Sequence, residues 1–224
     1  MDLAGRDDFE KEIARRLGRI SQQQYRRLVD ALGKEPTQAQ LDAINRTFWQ
    51  ELETAYQGAL QPELEKVFTA HALALIAEQS IGIDVAVINE RAARWAREYS
   101  YQLVRGITDS TRTALQQQIA GFFEDKRTLG DLYESIGQLF GPVRAEMIAV
   151  TETTRAAVQG ELAFADELGK LGLHTTQIWQ TNNDDLVCPI CGPLNQMRRG
   201  DGWNDPPPAH PRCRCWTSTE VIAA

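Results

Sequence analysis

Apolar residues recur at three- and four-residue steps through most of this chain. Phe9, Ile13, Leu17, Ile20, Leu28 and Leu32 form the stripe of a first amphipathic helix. Its other face carries Arg15, Arg16, Arg19, Arg26 and Arg27, and with Asp7, Asp8, Glu10 and Glu12 in reach it reads as a solvated, locally paired surface. Gly33 to Thr37 breaks the pattern and starts a new one. A second helix is expected near Leu41 to Leu60, with Leu41, Ile44, Phe48, Leu52, Tyr56 and Ala59 on one face. Pro62 suits the first turn of a third helix, where its missing N–H leaves no bond unmade. Leu64, Val67, Phe68, His71 and Leu75 mark that helix's inner face, and His71 reads as a core histidine.

A fourth helix begins at Val85 after Asp84 and repeats Ile88, Ala92, Trp95, Tyr99 and Leu103, closing at Gly106. Thr108, Asp109 and Ser110 then offer N-caps for a helix carrying Leu115, Ile119, Phe122 and Phe123. Thr128 and Asp131 have the spacing of a capping box ahead of a short helix with Leu132, Ile136 and Leu139, which stops at Gly141-Pro142. A long helix follows from about Val143 to Leu171, with Met147, Val150, Thr154, Val158, Leu162 and Ala165 inward. Glu152 and Arg155, three apart on it, read as a surface ion pair. Short connections between these segments favour antiparallel neighbours and a bundle.

The pattern changes after Gly172. Thr175 to Thr181 is β-branched and aromatic and predicts a strand; Asn182 to Asp185 reads as a turn, and Arg214 to Thr219 as a return strand. The fold class is therefore mainly α: a helical N-terminal region over residues 1–105, then a small α+β module over residues 106–224 with a two-stranded C-terminal end.

Composition narrows the function. The chain has 224 residues, 42% hydrophobic and 25% charged, an ordinary profile for a globular protein. A net charge of -7 disfavours a general nucleic-acid binder. No apolar run approaches a membrane span, so no membrane partner is expected, and the acidic start Met1 to Lys11 lacks the apolar region of a secretory signal.

All four cysteines lie between Ile178 and Trp216, none in the first 187 residues. Cys188-Pro-Ile-Cys191 has the spacing that aims two sulfurs at one ion from a tight turn, and His210-Pro-Arg-Cys213 repeats it. Cys215 lies two residues on, where strand alternation would place it on the same side as Cys213. Five candidate ligands thus compete for a tetrahedral ion that takes four, and soft thiolates with or without one imidazole point to Zn2+. Either Cys188, Cys191, His210 and Cys213 hold the ion, or Cys215 replaces His210 and the imidazole supports from outside. A thioredoxin-type redox turn would open a helix, which Gly192-Pro193 opposes; a catalytic zinc would leave a ligand position open, which five candidates oppose. Free thiols without metal are the remaining reading. The stretch from Asn182 to Pro211 is rich in Gly and Pro and short of apolar residues, so a metal staple would supply the order that burial does not.

The set Ile148-Ala-Val-Thr-Glu152, Trp179, Cys188-x-x-Cys191-x-x-Leu194 and Pro207-Pro-Ala-His-Pro-Arg-Cys-Arg-Cys215 resembles the phage Mu F-like minor head proteins, the head morphogenesis family. The match runs from about Gly106 to Trp216, with Val150 where the family usually has Arg. The resemblance implies a low-copy capsid protein that binds the portal protein and other head proteins during procapsid assembly, and that in some members contacts packaged DNA. Its location would be the phage head, and the host cytoplasm during assembly. Some members append toxin domains; with only eight residues after Trp216, a structural, non-enzymatic role is expected here. The alternative is a zinc-dependent nuclease using His210 and the cysteines, with Asp184 and Asp185 nearby, Arg198, Arg199, Arg212 and Arg214 as phosphate contacts, and His174 as the one candidate second histidine.

Overall fold

The computed structural model describes residues 2–34, 36–37, 40, 44, 46–182 and 187–222. Among these, five α-helices and a two-stranded antiparallel sheet follow in the order α1 (Arg6–Leu32), α2 (Arg46–Gln79), α3 (Val85–Glu124), α4 (Leu129–Leu139), α5 (Pro142–Lys170), β1 (Thr175–Gln180) and β2 (Trp216–Val221). The chain is mainly helical, as the periodicity predicts. Leu41 and the expected start of the second helix, like Asn183, Asp184 and Asp185 of the expected turn, lie outside the described residues.

Two expected breaks are absent. Pro62 lies inside α2 rather than at a helix start. A proline ring crowds the carbonyl four residues back and leaves it without a donor; that carbonyl belongs to Gly58, which is exposed, so water can serve it. Gly106 likewise lies within α3, which runs on to Glu124. The buried stripe Val104, Ile107, Thr111, Leu115 and Ile119 continues through it. Ser110, one of the three residues expected to cap a new helix, bonds backwards instead: its Oγ donates to the Ile107 carbonyl at 2.9 Å, as does Thr111 Oγ1 beside it at 2.6 Å. The expected division between residues 105 and 106 therefore falls in mid-helix. The capping box at α4 is present in both directions, Thr128 Oγ1 accepting from the Asp131 N–H and Asp131 accepting from that of Thr128.

The chain forms two compact units that interleave in sequence. One comprises residues 11–61 and 97–146. In it Leu17, Leu28 and Leu32 of α1, Leu52 and Leu60 of α2, and Leu132 and Ile136 of α4 are fully buried. Ser21 and Tyr56 hydroxyls bond at 2.8 Å, and Tyr25 lies over Gly137.

The other unit comprises residues 1–10, 62–96 and 147–224. Its centre is the stretch of α5 from Ala149 to Leu168, most of whose residues are buried. Phe68 and Ala72 of α2, Ile88 and Ala92 of α3 and Ala163 of α5 form one apolar cluster, and Leu75, Phe164 and Leu168 another. At Gly160 the two helices touch backbone to backbone: an added Cβ would stand 2.5 Å from the Phe68 carbonyl oxygen. Next to it, His71 Nε2 lies 3.1 Å from Glu161 Oε2, and Thr219 Oγ1 donates to Glu161 Oε1 at 2.8 Å. His71 is a core residue, as expected, but it has an acidic partner ninety positions away that no local pattern reveals.

β1 and β2 pair from Thr175↔Val221 to Gln180↔Trp216. The other edge of β1 is bonded too: Trp179 N–H donates to the Met197 carbonyl, Gln196 N–H to that of Trp179, and Arg199 N–H to that of Gln177. The segment expected to be plain loop thus runs alongside the strand.

Candidate metal centre

Each half of the centre is a tight turn. The N–H groups of Cys191 and Gly192 both donate to the Cys188 carbonyl, at 3.2 and 2.9 Å, and the Cys191 N–H also reaches Cys188 Sγ at 3.4 Å. Only a single 3-10 turn, Gly192–Leu194, follows, so this pair does not open an α-helix. In the second half the Cys213 N–H donates to the His210 carbonyl at 3.1 Å. Arg212 between them has φ 62, a left-handed conformation that a non-glycine residue adopts at a cost. Its N–H is held by Thr151 Oγ1 of α5 at 2.9 Å. Cys215 ends the turn immediately before β2, so it precedes the strand rather than lying in it, yet it still joins Cys213.

All five sequence-predicted donors come together in two overlapping groups: Cys188, Cys191 and His210; and Cys191, Cys213 and Cys215, the donor atoms within each group lying within 4.8 Å of one another. Cys191 belongs to both. His210 Nε2 is 3.0 Å from Cys188 Sγ and 3.3 Å from Cys191 Sγ, and Cys191 Sγ is 3.8 Å from Cys213 Sγ. The last distance equals the edge, roughly 3.8 Å, of a tetrahedron with metal–sulfur bonds of about 2.3 Å. The four cysteines form no disulfide. His210 Nδ1 lies 2.8 Å from the Pro211 carbonyl, so Nδ1 carries the proton and Nε2 turns its lone pair to the sulfurs. The donor set and its spacing fit a metal ion with a preference for sulfur.

The electrostatics set the sulfurs apart. A hydrogen bond from Cys215 brings the Cys213 thiol down to about 5, whereas burial and then the charge of Cys213 push Cys191 up to about 12. Cys215 is raised, first by its bond to Cys213 and then by burial. At Cys188 burial opposes ionisation, but backbone N–H donors led by that of Cys191 outweigh it and the thiol falls below its ordinary value. His210 is raised, chiefly by the Pro211 carbonyl. Thus Cys213 ionises readily, and its negative charge opposes the next ionisation at Cys191. A bound cation would supply the countercharge.

A small core encloses the sulfurs. Trp179 of β1 meets Trp203 edge-to-face with ring centroids 5.4 Å apart, and both pack with Cys191, Cys213 and Cys215, backed by Val187 and Leu194. Trp203 Nε1 donates to the Met197 carbonyl at 2.9 Å. The stretch is therefore less bare than its Gly and Pro content suggests, because one indole buries as much surface as several small residues.

The centre is also tied to α5. Thr154 Oγ1 donates to the Cys213 carbonyl at 2.7 Å and accepts from Arg6 Nη1 at 2.8 Å. Arg214 pairs with Glu10 and, at 3.6 Å, with Asp7. Glu152 is almost fully buried, 5% exposed, and pairs with Arg155, so the expected surface pair is in fact half inside. Reading Thr154 merely as an inward position misses its role. The signal was a run of hydroxyls, Thr151, Thr153 and Thr154, on a helix with little exposed face.

Of the residues in the nuclease reading, His210 and the cysteines meet at the centre, with Arg212 and Arg214 beside them in the chain. His174 is exposed, ahead of β1, and joins neither donor group. Arg198 pairs with Glu220 at 2.8 Å, and Arg199 Nε donates to the Asn204 carbonyl at 3.1 Å. Asp184 and Asp185 lie outside the described residues. Among the described residues no helix is long and apolar enough to cross a membrane. Comparison of the chain with family models, curated proteins and solved structures finds no match.

Proposed function

We propose that this chain is a minor head protein of the phage Mu F-like type, acting by binding portal and other head components during assembly, with one structural Zn2+ fastening its C-terminal module. One observation carries the reading. The two sequence blocks behind the resemblance, Ile148 to Glu152 of α5 and the His-Pro-Arg-Cys-Arg-Cys block, are bonded to each other through Thr151 to Arg212, and Thr154, two residues past the first block, bonds Cys213. Segments about sixty positions apart thus form one built feature.

Zinc is the ion these donors suit, since thiolates and imidazole together favour it over harder cations. Cys188, Cys191, His210 and Cys213 are the preferred ligands, because the imidazole lone pair already faces two sulfurs; Cys215 then hydrogen-bonds Cys213 from beside the site. A structural zinc contributes an apparent ~10–16 kcal/mol that is coupled to folding, enough to order a stretch this rich in glycine and proline.

The test is co-expression with portal and scaffold proteins, followed by isolation of procapsids. This chain is expected in them at a few copies per particle with one zinc each. Procapsids that form normally and hold none of it overturn the head-protein reading. Purified chain without stoichiometric zinc overturns the fastening. A plasmid-nicking assay with added divalent metal, compared with His210→Ala, is expected to show no cleavage by either protein.

A further inference from the structure

We propose that the amino-terminal turn, residues 2–10, is a latch on the metal loop, so that its docking and zinc binding strengthen each other. The inference rests on the zinc reading of the cysteine centre. Three observations carry it. Arg214 stands between Cys213 and Cys215, so any ion that fixes those two sulfurs also fixes the base of the Arg214 side chain. That guanidinium reaches Glu10 and Asp7. Arg6 reaches the same loop from another direction, through Thr154 Oγ1 to the Cys213 carbonyl.

The turn is also docked in its own right. Leu3, Arg6 and Glu10 are all buried, and Arg6 binds Asp2 while lying 4.0 Å from Glu10. Residues 1–10 belong to the compact unit that holds the cysteines, whereas the rest of α1 belongs to the other. Buried charges need their partners in place, because a buried carboxylate or guanidinium left alone bears the full cost of desolvation. Among the described residues Glu10 Oε1 has no hydrogen-bond partner and only the Arg6 charge 4.0 Å away, so the Arg214 bond to Oε2 is the one hydrogen-bonded ion pair that offsets its burial. If the loop loosens, Arg214 leaves, and Glu10 and Arg6 gain by returning to water. Coupling of this kind is reciprocal: a turn that docks better with zinc must also tighten zinc binding by the same factor.

Hydrogen exchange on the full zinc-loaded chain, before and after chelation, tests one direction. Removal of zinc is expected to speed exchange of the amides in residues 3–10 about tenfold or more while leaving residues 17–32 protected. Competition with a chromophoric chelator tests the other. Glu10→Gln, which touches no ligand, is expected to keep one zinc per chain but bind it about tenfold more weakly, within the usual range of coupling. Arg15→Gln, an exposed pair with Glu12, serves as control and is expected to match the parent chain. Zinc bound and removed with no change in residues 3–10, or Glu10→Gln binding zinc as tightly as the control, overturns the latch and leaves the fastening standing. A chain that binds no zinc overturns both.

Discussion

Thr154→Val replaces a fully buried hydroxyl by a methyl of nearly the same size. Packing is kept and two hydrogen bonds are lost: the donation to the Cys213 carbonyl at 2.7 Å and the acceptance from Arg6 at 2.8 Å. A buried polar group stranded without its partner costs about 1–3 kcal/mol, and more when it is charged. Since the Cys213 carbonyl and Arg6 are both affected, the expected loss is roughly 3 kcal/mol. For a chain of this size that lowers the thermal midpoint by about 6–12 °C. Where the cost falls only on the ordered loop, it appears instead as roughly 100-fold weaker zinc binding, since ~1.4 kcal/mol is tenfold. Thermal melts with and without chelator, together with chelator competition, measure both parts. Thr154→Ser keeps the hydroxyl and is expected to recover most of the loss. A Val variant within about 1 kcal/mol of the parent in both assays refutes the view that this hydroxyl holds the loop.

Four further outcomes follow from the same structure. Gly160→Ala forces a Cβ against the Phe68 carbonyl, so urea melts should show a net loss of about 1–3 kcal/mol despite alanine's better helix propensity. Gly169→Ala, in open space on the same helix, should instead gain up to ~1 kcal/mol. Glu167 is held below its ordinary 4.5 first by Lys170 and then by Arg91, so its contribution is present above that value and lost as pH falls through the lower folded one; acid titration of Glu167→Gln should show a flatter loss of stability below pH 4.5. Cys191→Ser, or chelation, should abolish the near-ultraviolet dichroism of the Trp179–Trp203 pair while most far-ultraviolet helical signal stays, because Cys191 packs with that pair.

The helices and both strands were legible because each writes its period into a dozen or fewer neighbouring residues. So were the five donors, whose spacing is local within each turn. The breaks at Pro62 and Gly106 misled because a proline or glycine marks a boundary only when the apolar stripe also stops; here Leu64 and Ile107 carry it on. What the sequence concealed is every contact joining distant segments. Nothing near Thr154 foretells Cys213, and nothing near His71 foretells Glu161. Trp203 went unnoticed because a lone indole among Gly, Asn and Pro has no period to betray it.

The contact between Arg214 and Glu10 joins positions 204 apart. Loop closure grows costlier with length, by about 0.6 kcal/mol for each doubling, and contacts between remote segments slow folding. The unit of residues 11–61 and 97–146 has all its parts once residue 146 has been synthesised. The unit with the cysteines does not, because its first turn waits for a partner made some two hundred residues later. On the ribosome, then, residues 2–10 emerge long before the loop that holds them and must wait for it.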